Sequence, residues 1–316
     1  MVVFDLHQDL AWKRLSFKER FFKESPLWES KTSNIPNQAD FPRLKKGKVK
    51  LIFASSFSEK GDFKEVESHL KFYFWLEKTR KFSIIRFKKD LKKLMKTKKI
   101  GLLLHIEGLD FIKKEKDLKI IENLFKIGVR SIGLTHNHQN QLAGGALSEE
   151  SLTSLGKKLI EKAQRLNFII DLAHLNRKSF VEVLKILKSP PLFSHGNVSK
   201  FFPHPRNLED WQIKEIIKKE GLIGISFVPR FLKKPTLKEI SKNFRHIINL
   251  KGEDNLGLGS DFDGMVGKEL VKGLEDASLF ENLKKFLEKE KFKKEIIRKI
   301  FYQNALNFLE KTLPKN

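Results

Sequence analysis

The chain has 316 residues, with 63 Lys+Arg against 39 Asp+Glu and no cysteine. Its 40% apolar content is enough for a sizeable core, which excludes a disordered or fibrous chain. The missing cysteine excludes a disulfide framework, a thiolate zinc site and a cysteine nucleophile together.

Short apolar, β-rich runs alternate with longer segments of helical period, the pattern of βα units around a parallel sheet. In chain order the predicted strands are 2–6, 50–56, 100–107, 130–136, 168–174, 191–195, 222–228 and 255–260. Most are continuous apolar runs, as strands covered on both faces should be. Predicted helices fall between them at 64–79, 88–98, 115–126, 154–166 (Thr153 as N-cap), 176–187, 208–219, 237–249, 279–288 and 292–312. Eight strands with intervening helices predict a single (β/α)8 TIM barrel over 1–316, with extra helices and no linker that would divide it.

The net charge of +24 invites a phosphate-binding reading, but the excess is lysine spread beside glutamate, as in KKFLEKEKFKKEIIRK. The densest run, RFKKDLKKLMKTKK at 86–99, reads as the solvated face of one helix, so nucleic acid is not the expected partner. No apolar run approaches the roughly 18–20 residues of a membrane span, and MVVFDLHQDL is not built like a signal peptide. A cytoplasmic protein without a membrane anchor is the expectation.

Catalytic groups of such barrels sit where strands end at the C-terminal face. Here the ends are His7-Gln8-Asp9, His105-Ile106-Glu107, Thr135-His136, Asp171-Leu172-Ala173-His174, Ser194-His195 and Asp261-Phe262-Asp263-Gly264. A lone strand-end histidine is more often hydrogen-bonded structure than a ligand, and Glu107 alone fits a salt bridge. Ionisable groups at the ends of six strands are different, because unpaired buried charge is expensive and a metal is the usual compensation. Imidazole plus carboxylate suits Zn2+, and also Mn2+, Fe2+ or Co2+. Three histidines and two carboxylates exceed the needs of one catalytic zinc, so two ions sharing a carboxylate fit better, held roughly 3.5–4 Å apart.

These segments resemble the membrane (renal) dipeptidases and their bacterial relatives, metal-dependent members of the amidohydrolase superfamily. The resemblance runs in order through DLHQDL, QADFPRLKKGKV, HIEG, GVRSIGLTHNHQNQLAGG, IIDLAH, PPLFSH, HPRNLED, LGLGSDFDG and YQNALNFL. It implies that His7 and Asp9 bind one metal, His174 and His195 the other, and Glu107 bridges them. It also implies that His136 faces the substrate and stabilises the oxyanion, and that Arg206 holds the substrate carboxylate. Asp261 would contact the bridging hydroxide and pass its proton to the leaving amine, which needs a general acid.

Of the other histidines, His69 and His246 are expected on helix surfaces, His105 in a supporting role, His138 in the loop beside the pocket and His204 as positional. Asp5 and Asp171 are candidates to orient metal-binding histidines, and Asp263 to cap the loop after the last strand. Where the mammalian enzymes of this family place a pocket tyrosine, this chain reads SFVPRFL, so Val228 or Phe231 would shape that wall and Arg230 would add an anion contact. The closing motif is altered too, to Tyr302-Gln303-Asn304 with Asn307.

The expected function is hydrolysis of free dipeptides, with action on N-acyl amino acids or lactones as the enzymatic alternative. A basic nucleic-acid-binding barrel and a catalytically dead scaffold are the non-enzymatic ones. Family resemblance also implies a homodimer.

Overall fold

The computed structural model describes residues 1–17, 20–28, 34–58 and 60–315. Its strands are β1 (Val3–Gln8), β2 (Val49–Ser56), β3 (Phe82–Ile84), β4 (Ile100–Ile106), β5 (Val129–Gly133), β6 (Ile169–Asp171), β7 (Leu192–Gly196), β8 (Leu222–Ile225) and β9 (Leu256–Leu258). All pair in parallel, and the ring β2-β1-β9-β8-β7-β6-β5-β4 closes through a β2–β4 pairing into an eight-stranded barrel. The eight strands expected from sequence are those eight.

The ninth strand, β3, was not expected. β5 meets β4 only from Leu104 onward, which leaves the edge of Ile100–Leu102 free, and Phe82–Ile84 pairs there. A three-residue run is too short to show a period of two in sequence.

The helices are α1 (Leu10–Phe17), α2 (Phe41–Lys46), α3 (Phe63–Lys78), α4 (Lys88–Met95), α5 (Ile120–Ile127), α6 (Ser154–Arg165), α7 (Arg177–Ile186), α8 (Asp210–Lys218), α9 (Leu237–Asn249), α10 (Phe280–Lys289), α11 (Lys294–Arg298) and α12 (Asn304–Thr312). Thr153 caps α6 as expected, its hydroxyl accepting from the Gly156 N–H. The single helix expected over 292–312 is split by a π turn at Lys299–Gln303. α1 and α2 were not anticipated; α2 starts at an Asp40 cap that accepts from the Arg43 N–H.

The outer faces of the strands pack against the helices, with Ile52, Leu104, Ile132 and Ile170 in one apolar cluster with Leu70, Leu124, Leu159 and Phe244. A smaller cluster joins Leu51, Phe53, Leu103, Ile169, Leu192 and Leu222 to Phe308 and Leu309 of α12 and to Leu313 just after it. Burying each such side chain contributes about 1.5–3 kcal/mol. Asn304 donates to the carbonyls of Glu253 and Leu256 beside the start of β9, so α12 sits at the N-terminal ends of the strands. That leaves the opposite end open for the polar residues. In the lysine-rich run at 86–99, Leu91 and Leu94 are buried while Lys89, Lys92, Lys93 and Lys96 are exposed, as a solvated helix face requires. Among the described residues no helix is long and apolar enough to cross a membrane.

Candidate active site

Several predicted strands stop pairing earlier than their apolar runs suggest: β5 at Gly133, β6 at Asp171 and β8 at Ile225. The chain beyond each ladder turns away, and those turns present the polar side chains. His174 (φ 68°), Asp261 (φ 65°) and Asp263 (φ 67°) lie in the left-handed region, which costs side-chain-bearing residues conformational energy and is concentrated at functional sites. The start of α7 fixes the chain just after His174, because the Asn176 side chain caps it by accepting from the Ser179 N–H.

The eight residues singled out at sequence level converge at this end. One Glu107 oxygen, Oε2, lies 3.3 Å from His7 Nε2, and Oε1 lies 2.5 Å from His174 Nε2 and 3.5 Å from His195 Nε2. Asp9 Oδ2 is 3.6 Å from His7 Nε2. Asp261 reaches across the cluster, 4.0 Å from His7 and 3.9 Å from His195. Arg206 donates to His195 Nε2 at 2.6 Å and to Asn137 Oδ1 at 3.4 Å. The His136 ring lies 4.5 Å from that of His174.

The donor chemistry fits a cation. His174 Nδ1 donates to Asn137 Oδ1 (3.0 Å), and His195 Nδ1 pairs with Ser194 Oγ (2.8 Å) while its Nε2 accepts from Arg206. Each neutral ring then turns an unprotonated Nε2 inward, and the two atoms are 3.1 Å apart beside a carboxylate oxygen. Burial, helped by the Arg206 charge, holds both imidazoles well below their usual pKa, so protons do not settle the conflict. Both ring nitrogens of His7 and Oδ1 of Asp9 are buried without a hydrogen-bond partner. Lone pairs aimed at one another in a buried site are what a metal ion resolves. Three overlapping trios of ligand atoms are close enough to hold one: His7-Asp9-Glu107, Glu107-His174-His195 and His7-His195-Asp261.

The remaining titrations fall apart by environment. Burial opposes ionisation of Glu107, but His7 and His174 outweigh it and hold the carboxyl well below its usual range. Burial pushes Asp261 well above the usual range, with Asp9 and Glu107 adding to it. Arg206 is lowered by burial to about 10 and stays protonated at neutral pH.

These groups floor a pocket of about 270 Å³ walled by Trp12, Phe57, Asn137, Val228, Arg230, Phe231, Met265 and Val266. Val228, Phe231 and Arg230 therefore line it, as the sequence suggested. His138 is exposed and lies outside this lining. His204 accepts from the Arg206 N–H at 3.2 Å, a positional role. His69 and His246 are buried, contrary to the surface positions expected, and His246 pairs with Asp210 at 2.7 Å. His105 meets Ser131 (3.0 Å) and Asp171 (3.5 Å) rather than the cluster's centre.

Asp5 and Asp171 bond chiefly to main chain beside the site, not to the rings of the proposed metal-binding histidines. Asp171 accepts from the N–H groups of Ala173 and Ser194, and Asp5 from the N–H and hydroxyl of Ser260. Burial raises Asp5 to about 6 despite those bonds. Asp263 does not cap its own loop: it accepts from the N–H groups of Gln38 and Ala39 and pairs with Arg14 at 3.2 Å, tying the loop after β9 to the segment before α2 and to α1. Missed at sequence level were Asn137 and Phe57, whose ring stacks on His136 at 5.7 Å and 10°, while Ser194 was named at its strand end without a role. Asn137 and Ser194 adjoin histidines already singled out, which was the available signal; Phe57, one of 28 phenylalanines, carried none.

Comparison with known proteins agrees with the geometry. Residues 1–314 match the family described as membrane dipeptidase (peptidase family M19). The chain is 26% identical over 301 residues to Dipeptidase tcpJ of Claviceps purpurea, covering 88% of this chain and 70% of that protein. It is 31% identical over 226 residues to an uncharacterized dipeptidase, C965.12, of Schizosaccharomyces pombe, covering 68% of this chain and 53% of that one. The solved structure of dipeptidase AC, a family M19 metallopeptidase, superposes with a TM-score of 0.89 over 99% of both chains at 23% identity. A Rhodobacter sphaeroides metallopeptidase, solved with a phosphinate mimic of L-Ala-D-Ala, superposes with a TM-score of 0.87 at 22% identity, again over 99% of each chain. The chain belongs to the membrane dipeptidase family and is a metal-dependent peptide-bond hydrolase.

Proposed function

We propose that this chain cleaves the single peptide bond of free dipeptides at a binuclear centre. His7 and Asp9 would hold one divalent ion, His174 and His195 the other, and Glu107 both. The observation that carries this reading is the division of Glu107, one oxygen toward His7 and the other toward His174 and His195. When bound, the two ions, Zn2+ in the first instance and otherwise Mn2+, Fe2+ or Co2+, would activate a shared water as hydroxide near neutral pH and polarise the scissile carbonyl.

The chain's own groups do the rest. Asp261, whose burial raises its affinity for a proton, as the carboxylate takes the proton of the attacking water and then, as the acid, gives it to the leaving amine. His136, which burial keeps neutral, would donate to the oxygen that gains charge as the carbonyl is attacked. The guanidinium of Arg206 pairs with the substrate's terminal carboxylate, for which its planar fork is suited. The His195 lone pair serves either a metal or Arg206, so occupation of His195 by an ion frees the guanidinium for substrate. Arg206 also explains selection by size, because a longer peptide does not present its carboxylate there.

Metal content of the purified protein, measured beside Glu107→Ala, tests the centre. Two equivalents in the parent falling to one or none in the variant support the bridge, and an unchanged count refutes it. Dipeptides, N-acyl amino acids and lactones offered to the metal-loaded protein test the substrate. Turnover of lactones without turnover of dipeptides would sink the dipeptidase reading.

A further inference from the structure

Two guanidinium groups open onto the same pocket. Arg206 is buried at its floor, whereas Arg230 stands exposed at its rim. They share one wall, built on Phe231, the residue after Arg230: the Arg206 guanidinium lies 5.2 Å over the Phe231 ring, and the His204 ring lies 4.8 Å from it. Both arginines lower the His204 pKa, after burial, so both charges act on the same spot.

Arg230 is held by its backbone and free at its tip. It is the middle residue of a 3-10 turn, Pro229–Phe231, and the Phe231 carbonyl accepts from Asn207 Nδ2 at 2.9 Å. Among the described residues no carboxylate lies within ion-pair distance of it. The pocket's own acids, Asp9, Glu107 and Asp261, are gathered around the histidines instead.

We propose that Arg230 selects dipeptides whose C-terminal residue is aspartate or glutamate. This rests on the dipeptidase reading, in which Arg206 takes the main-chain carboxylate. A second guanidinium on that same wall then faces the side chain of the residue that leaves. A free guanidinium at a half-enclosed rim pairs with a carboxylate in two parallel hydrogen bonds, which is specific in geometry and in charge. A lysine side chain there meets a like charge, which discriminates against it.

The test is kcat/KM for Ala-Glu, Ala-Ala and Ala-Lys, each with an L- and a D-configured C-terminal residue, on the metal-loaded protein. The parent should favour Ala-Glu over Ala-Ala by roughly five- to tenfold, a preference that narrows at high salt. Arg230→Ala should bring that ratio close to one, and Arg230→Glu should turn it to favour Ala-Lys. A ratio that stays put in Arg230→Ala, or activity that falls equally on all three substrates, overturns the assignment while leaving the dipeptidase reading intact. Failure of the parent to cleave any dipeptide overturns both.

Discussion

Gly264 borders the carboxylate of Asp9 so closely that a β-carbon at this position would overlap it, and would lie 2.6 Å from Asp261 Oδ1. The DFDG turn thus needs glycine for space beside two acids, one a proposed ligand and the other the proposed proton carrier.

Gly264→Ala should therefore act on the site more than on the fold. The methyl group must displace Asp9, which is buried and has little room to yield. Overpacking of this kind costs about 1–3 kcal/mol. We expect metal affinity at the His7–Asp9 half to fall at least tenfold and kcat/KM by about a hundredfold. Metal titration with circular dichroism as the control for folding checks this; unchanged affinity would refute it.

Removal of metal should cost stability. Without a cation, the Nε2 lone pairs of His174 and His195 face each other and Glu107 in a buried site. A ligand that binds only the folded state, present at a thousand times its Kd, contributes about 4 kcal/mol. Chelation should lower Tm by several degrees, and returning the metal should restore it. In His174→Ala the same chelator should produce a clearly smaller drop, since half of the centre is already lost.

Arg206→Lys should show that charge alone is not enough. The guanidinium reaches His195 and Asn137 with two separate nitrogens, whereas an ammonium on a flexible stem cannot reproduce a planar fork. KM for dipeptides should rise by roughly ten- to a hundredfold, with kcat less affected, because the lost contact is to a part of the substrate that does not react. Steady-state kinetics with Ala-Ala suffice. A fall confined to kcat would move Arg206 from binding to chemistry.

The barrel was legible because its strands are continuous apolar runs, and the candidate ligands because they stand at the ends of those runs. What was hidden has physical reasons. β3 is too short to carry a period and exists only because β4 outruns β5. α1 buries Lys13 and Arg14 beside Leu10 and Ala11, so no amphipathic stripe marks it. His246 looked solvent-facing because its partner, Asp210, stands 36 residues away in the chain. Phe57 matters through a ring contact with His136 that only the folded barrel creates.

Arg130 offers a prediction about the fold that leaves the chemistry alone. It sits at the start of β5, away from the polar end of the barrel, and its side chain is buried. Its guanidinium donates to the carbonyls of Arg86 (2.5 Å), Phe125 (2.7 Å) and Val129 (2.8 Å) and lies 3.9 Å over the Phe125 ring. Burial, with the nearby Arg86 charge, lowers its pKa to about 10, so at neutral pH it remains a cation inside the protein. Such a charge is tolerable because three carbonyls accept its hydrogen bonds and the face of the Phe125 ring lies against it. Lysine keeps the charge and loses the plane: its tip cannot meet all three carbonyls while packing flat on Phe125. Hydrogen bonds to charged groups contribute about 1.5–3 kcal/mol each, and part of that is recovered by whichever carbonyls lysine still reaches. We expect Arg130→Lys to cost about 2–3 kcal/mol in chemical denaturation with kcat/KM within twofold of the parent. A loss below about 0.5 kcal/mol would mean that the buried guanidinium contributes no more than a surface charge.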